Sequence, residues 1–356
     1  MKPVYLTDQE ATDHLFPFSQ TRSVADLRIG ILTIREKWER LLQQPVQLIQ
    51  ADNPTQAQPP QDAIIFAANI IPSIAFVQSI KQHANNPGFE PDYETVQILQ
   101  YPWHIFQWND WALREDFKLI TKNRYSEPIP ESVQVINSNN IFVEPGATLH
   151  HCMLNATTGP IYIGKDAEIM EGSYIRGPFA LCEGAVVKMG AKIYGATTVG
   201  PYSVVGGEIK NTVIFGYSNK AHDGYLGDSV IGEWCNLGAG TSNSNLKNTG
   251  SDVHVWHNQA KDYIRVGLKC GLLMGDYSRS AINTAFNTGT LVGICSNVFG
   301  EGLTPKFIPS FTWGSKGLSR YEFEKALADI ANWKKLKNQE LTTTEISRLK
   351  QIFEQS

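Results

Sequence analysis

Aliphatic residues fall on every sixth position through the middle of the chain: Ile163, Ile169, Ile175, Leu181, Val187, Ile193, Val199 and Val205. The position four residues after most of them is small: Ala167, Ser173, Ala185, Ala191, Thr197 and Ser203, with Phe179 an exception. This period is neither that of a helix nor the simple alternation of a hairpin sheet. Each hexad reads as one short strand plus a turn, with the aliphatic side chain pointing inward. A single coil cannot bury its own apolar side, but a stack of coils can. The pattern predicts a hexapeptide parallel β-helix from about residue 140.

The register breaks near Asn211 and is expected to return as Tyr225, Ile231 and Leu237, with Ser229, Cys235 and Thr241 as the small residues. "NSNLKNTGSD" is polar and turn-rich and should leave the helix as a loop. "YIRVGLKCGLLMGDYSRSAINTAFNTGTLVG" should resume the stacking. Towards the C-terminus, Ser319 with Glu322 and Thr342 with Glu345 read as capping boxes opening two helices. Phe323, Leu327, Ile330 and Ala331 give the first an apolar face. They should pack on the β-helix or on a neighbouring subunit.

The first 135 residues lack the hexad. A third capping box, Thr33 with Glu36, opens a helix with Ile34, Trp38, Leu41 and Leu42 on one face. "DAIIFAANIIPS" suits a buried strand, and "NPTQAQPPQ" before it reads as a loop. The expected order is an α/β domain over 1–135, the β-helix over 136–315 and a helical tail over 316–356.

At 356 residues and net charge −4, composition gives no pull towards nucleic acid. No apolar run is long enough to span a bilayer. The start, "MKPVYLTDQE", has no apolar core of a signal peptide. The cysteines, Cys152, Cys182, Cys235, Cys270 and Cys295, form no CxxC pair and read as core or turn fillers. A cytoplasmic location is expected. No metal site is expected: in "HHC" (His150 to Cys152) alternate side chains of a strand face opposite ways. His254 and His257, flanking Trp256, carry no motif.

"KAHDGYLGDSVIGEWCNLGAGTSNSN" resembles the acetyltransferase half of the bifunctional N-acetylglucosamine-1-phosphate uridylyltransferase/glucosamine-1-phosphate acetyltransferase family, particularly archaeal sugar-1-phosphate nucleotidylyltransferases with the same C-terminal helix. The resemblance covers roughly residues 140 to 300. It implies a left-handed parallel β-helix, acetyl-CoA as cosubstrate, a sugar-phosphate acceptor and a homotrimer with sites between subunits. It places His222 as the base that takes the proton of an attacking amine, a task suited to a group with pKa of about 6.5. Glu208 and Lys210 match the family's Glu-x-Lys, whose lysine meets the sugar phosphate. Tyr225, Asn236 and Asn245 match its sugar site, and Ala239 lies against the acyl group. "GDYSRSAINTAFNTG" is similar to the segment along which the CoA arm runs, which makes Lys269 and Arg279 candidates for CoA phosphates. Lys192 stands where the family has an arginine, with Arg176 a coil earlier. Leu246 replaces a tyrosine, and "HDG" replaces "HLS" after the base, so Asp223 could orient His222.

"LFPFSQTRSVADLRIGILTIREKW" is similar to the start of a sugar nucleotidyltransferase domain, Rossmann-like in fold. The phosphate-cradling glycine loop is replaced by "TDQEATDHLFPF", whose Asp8 and Glu10 would repel phosphate. The proline of the family segment is Ser23, and its lysine is missing. Arg22 and Arg28 remain as phosphate candidates in a domain read as reduced. Three readings follow: acetyl transfer on the β-helix, sugar-1-phosphate nucleotidyl transfer with Mg2+, and a non-catalytic trimeric scaffold.

Overall fold

The structure, a computed structural model, describes residues 2–8, 12–49, 59–83, 90–315 and 319–356. Its centre is a parallel β-solenoid whose strands stack coil on coil from Gln134–Ile136 onwards. Ile163, Leu181 and Val199 sit directly above one another, eighteen residues apart. The column continues through Ile214, Ile231, Met274, Val292 and Ile308. All of these are essentially inaccessible to water. Each contributes roughly 1.5–3 kcal/mol of apolar burial, which is why the hexad repeat is so strict.

The break in the repeat has a structural cause. The turn at Gly206–Gly207 is short, so Glu208 pairs with Lys192 at a sixteen-residue step. The strand Glu208–Ile214 then turns a corner at Asn211, which adopts φ +47°, and pairs with Thr198–Val199 beyond it. The strand Tyr225–Ile231 repeats this corner at Asp228, with φ +49°. The hexad register therefore resumes on Leu226, which is buried, and not on Tyr225, which faces outward. Ile231 and Leu237 point inward as expected.

The polar interruption is a loop followed by an antiparallel hairpin, Val253–His257 with Asp262–Gly267. "YIRV" thus belongs to the hairpin, and stacking resumes only at Leu272–Met274. Val253 and Val255 bury against the N-terminal core. The five cysteines are free and buried.

Three parallel strands form the N-terminal sheet in the order Gln47–Ile49, Val4–Thr7, Ile64–Ala67. Ile64–Ala67 lies at the sheet edge, and its Ile65 is 48% exposed, so the apolar run there is only partly buried. The Thr33 capping box forms as expected. "NPTQAQPPQ" lies mostly outside the described residues.

The N-terminal part is locked to the solenoid by polar contacts. Gly30 donates its N–H to Asn109 Oδ1 at 2.7 Å, and Asn109 Nδ2 donates to the Ala196 carbonyl at 2.8 Å. Thr198 Oγ1 donates to the Gly30 carbonyl at 2.9 Å. Gly30 has φ +73°, and a Cβ there would lie 2.4 Å from Asp116, so this loop requires glycine. Asp116 accepts from the N–H groups of Ile31 and Leu32 and pairs with buried Lys37. Burial pushes both partners towards their neutral forms, and the pairing opposes it.

The two C-terminal helices, Phe323–Lys335 and Thr343–Gln355, pack back on their own solenoid around Trp234, Tyr277, Ile294 and Phe311. The Thr342 capping box forms. The Ser319 one does not: Ser319–Arg320 is a strand paired with Thr312–Trp313, and Glu322 is itself the cap. No helix among the described residues is long and apolar enough to cross a membrane.

Asp116→Ala strands a buried ammonium and two buried N–H groups. It should cost about 3–5 kcal/mol, read from urea unfolding of the whole chain.

Candidate active site

On one outer face of the solenoid, inward Ile175, Ile193, Ile209 and Leu226 are flanked by outward residues in register. Tyr174, Lys192, Glu208 and Tyr225 stack in one row. Lys210 pairs with Gly227 in the neighbouring row. Adjacent coils lie about 4.8 Å apart, so both lysines, the glutamate and the tyrosine share a short stretch of surface. Lys192 and Lys210 are exposed, and Glu208 is half-buried.

Tyr225 folds back along its own strand over Gly227, where a Cβ would meet its Oη at 2.2 Å. Its Oη accepts a hydrogen bond from Asn245 Nδ2 at 3.0 Å. The same Nδ2 donates to Asp228 Oδ2 at 2.5 Å, and Asn211 Nδ2 donates to Asp228 Oδ1 at 2.6 Å. Both amide hydrogens of Asn245 are thereby spent, leaving its Oδ1 as the acceptor for a ligand. Burial, reinforced by Asp228 and Glu208, pushes the Tyr225 phenol up to about 12. Tyr225 therefore keeps its proton and can donate it in a hydrogen bond.

His222 is exposed in the turn between the strands Asn219–Lys220 and Tyr225–Ile231. The turn is stacked between neighbouring corners. Gly240 donates its N–H to the Asp223 carbonyl at 3.1 Å, which places Ala239 on the corner next to His222. Gly224 has φ +124°, and a Cβ there would lie 2.0 Å from the Thr241 carbonyl oxygen. The "HDG" turn is thus glycine for steric reasons. Lys220 fills an inward position otherwise held by Val187, Val205 and Leu237, and is buried. Its Nζ donates to the carbonyls of Gly206 and His222. Desolvation lowers it to about 8, opposed by Asp223.

Five sequence candidates, Lys192, Glu208, Lys210, Tyr225 and Asn245, are brought together, with His222 and Ala239 on the adjoining corner. Exposed Lys269 precedes Cys270, whose N–H donates to the Asn245 carbonyl at 3.0 Å. Asn236 and Arg279 stand elsewhere. Asn236 pairs in register with Asn219 and Arg279 on the next face. There the C-terminal segment reaches over: Lys337 Nζ lies 3.3 Å from Asn219 Oδ1. Arg279 is buried beneath Trp333, its guanidinium 5.4 Å from the ring, so the structure does not present it to a CoA phosphate.

The N-terminal candidates are also committed. Arg22 pairs with Asp276 and, at 2.9 Å, with Glu233. Arg28 donates to the Ile31 carbonyl. Asp8 accepts from Ser23 Oγ at 3.0 Å and Val24 N at 3.1 Å, so it caps a turn. Glu10 lies outside the described residues. His150 and His151 are exposed while Cys152 is buried. His257 is buried, and its Nδ1 accepts from the Ala260 N–H at 3.1 Å.

Asp228, Asn211 and Lys220 were not legible as site residues. The signal for Lys220 is a charged residue in an aliphatic slot, visible only once the shortened coil is known.

Because the folded Lys220 binds its proton less tightly than the unfolded chain does, stability rises with pH between about 8 and its ordinary value. Its charged form is a cost at neutral pH. Lys220→Met should gain on the order of 2 kcal/mol at pH 7, a gain that shrinks above about pH 8. It should also loosen the His222 turn, seen as faster amide exchange at residues 221–224.

The sugar nucleotidyl transferase family matches residues 4–90. The chain is 30% identical over 215 residues to the bifunctional sugar-1-phosphate nucleotidylyltransferase/acetyltransferase of Sulfurisphaera tokodaii, covering 57% of this chain and 47% of that one. It is 35% identical over 86 residues to the bifunctional protein GlmU of Methanocaldococcus jannaschii, 24% of this chain and 21% of that one. It therefore spans less than half the length of these curated relatives. A solved Arabidopsis UDP-N-acetylglucosamine acyltransferase overlaps 64% of this chain and 90% of its own at 15% identity, with a TM-score of 0.31; that adds nothing to the fold read from the strands. The chain thus resembles sugar nucleotidyl transferases over residues 4–90 and, over 57% of its length, a bifunctional sugar-1-phosphate nucleotidylyltransferase/acetyltransferase.

Proposed function

We propose that the solenoid transfers an acetyl group from acetyl-CoA to the amine of an amino-sugar phosphate, as a homotrimer. The observation that carries this reading is the convergence of Lys210, Tyr225 and Asn245 on one face, beside an exposed His222 on the adjoining corner. Lys210, with Lys192 one row over, supplies positive charge for the phosphate. Asn245 Oδ1 accepts from a sugar N–H or O–H, and the Tyr225 hydroxyl donates to a sugar or phosphate oxygen. His222 takes the proton from the amine as its nitrogen attacks the thioester carbon. The carbon–sulfur bond then breaks, and CoA leaves as a thiol after taking up a proton. Ala239, on the neighbouring corner, would meet the acyl group through its backbone. Lys269 remains an exposed candidate for a CoA phosphate.

A second reading, nucleotidyl transfer from a nucleoside triphosphate to a sugar-1-phosphate with Mg2+, is favoured by the family match over residues 4–90. Against it, the acid that ends the first strand, Asp8, is closed off by Ser23 and Val24, and Arg22 is spent on the solenoid. Those residues do not fit a metal–triphosphate cradle.

Purified protein with acetyl-CoA and a panel of amino-sugar phosphates should release free thiol. His222→Ala should lower kcat by about 10²-fold or more; an unchanged rate would remove the base assignment. Pyrophosphate release without thiol release would promote the second reading, and neither would leave a scaffold.

Gly227→Ala should push the Tyr225 ring off Asn245. The KM for the acceptor should rise roughly five- to tenfold with kcat nearly unchanged, measured by the same thiol release.

A further inference from the structure

Two coils before the proposed acceptor site, the same face carries a cleft of about 300 Å³ whose walls include Asn155, Tyr174, Arg176, Lys192 and Tyr194. The register makes it a checkerboard. Tyr174 stacks on Lys192, and Arg176 and Tyr194 follow Ile175 and Ile193 in the neighbouring row. An aromatic ring therefore stands beside a cation on each coil, in opposite order. Tyr174 is 60% exposed and Tyr194 is 40% exposed. Neither Arg176 nor Lys192 has an ion-pair partner among the described residues, although Glu208 is the next residue up the row from Lys192.

Folding does not require this arrangement. The inward Ile175 and Ile193 hold the coils, and the outward positions could be small or acidic without loss of core. Exposed rings set between unpaired cations favour a ligand with a flat face and a nearby anion. Aromatic rings take a planar group by stacking. Arginine offers a fork to a phosphate, and lysine a point charge. The rigid sheet beneath fixes their spacing.

We infer that this cleft binds a nucleotide, with the base against Tyr174 and Tyr194 and its phosphate groups on Arg176 and Lys192. Its relation to the acceptor face rests on the acetyl-transfer reading: Lys192 is the shared edge, and the row from Tyr174 to Tyr225 runs three coil steps, roughly 14 Å. A ligand lying along it has its base at one end and its sugar near His222. The same chemistry is offered by a nucleoside-diphosphate-linked sugar and by the 3′-phosphorylated ADP end of CoA.

Titration calorimetry of the full chain with UDP, ADP and adenosine 3′,5′-bisphosphate separates these sources without any acetyl transfer. Binding of UDP in preference to both adenosine nucleotides assigns a nucleoside-diphosphate-linked sugar, and binding of ADP and the bisphosphate in preference to UDP assigns CoA, whose nucleotide end is a 3′-phosphorylated ADP. In either case Arg176→Ala should weaken binding about tenfold. Tyr194→Ala should weaken it about fivefold and Tyr194→Phe should restore it, with melting temperatures confirming that the variants fold. Absence of binding by all three nucleotides overturns the inference. So does affinity unchanged in both alanine variants, and so does loss of the oligomer in sedimentation with nucleotide affinity intact, which would make the face a subunit contact. Loss of acetyl transfer with every acceptor leaves the binding result standing, so the two readings fail separately.

Discussion

Everything in this molecule is built on one constraint: each coil must set its inward aliphatic side chains directly on those of the coil before it. Ile163, Leu181 and Val199 satisfy it at a constant interval. Corners take a left-handed backbone throughout the solenoid, and in the shortened coils polar residues supply it. Asn211 and Asp228 do this, and their side chains then meet each other and Asn245. The irregular coils are thus the ones that gather polar groups. The candidate acceptor site lies where the repeat is least regular.

The same geometry explains two residues that look out of place. Lys220 occupies an aliphatic slot, a destabilising choice, yet its ammonium ties the backbone of the His222 turn to the turn beneath it. Functional positions commonly carry such a cost in stability. Gly224 follows from the close approach of the Thr241 carbonyl. The N-terminal part shows the opposite trade. Its Asn109, Arg22 and Gly30 are spent on holding the solenoid. For Arg22, burial opposes the charge, and Asp276 and Glu233 more than offset it. The described residues of the segment that matches sugar nucleotidyl transferases share one apolar core with the β-helix.

Much of this was legible in the residues. The hexad predicts the solenoid because its period follows from the coil. The Thr33 and Thr342 caps were readable because a capping box is local. The Ser319 box failed since a strand pairing with Thr312–Trp313 competes for the same residues. Tyr225 was placed in the inward register because a shortened coil cannot be seen in a periodic count. Lys210, Tyr225 and Asn245 could be named from a motif, but not the Asp228 that orients Asn245, which depends on a corner formed by residues seventeen apart. Asn236 and Arg279 were assigned through the motifs that carry the family resemblance. Chain order does not reveal that a coil passes around three faces, or that the C-terminal helices cover one of them.

The most direct test of the central claim is a crystal structure of the full chain with CoA and an amino-sugar phosphate such as glucosamine 1-phosphate. The proposed chemistry requires the sugar amine within about 3 Å of a ring nitrogen of His222, the phosphate on Lys210, and a sugar hydroxyl or amine donating to Asn245 Oδ1. A sugar phosphate seated instead on the Asn236 and Arg279 face, or at the end of the N-terminal sheet, with His222 turned to solvent, would contradict it.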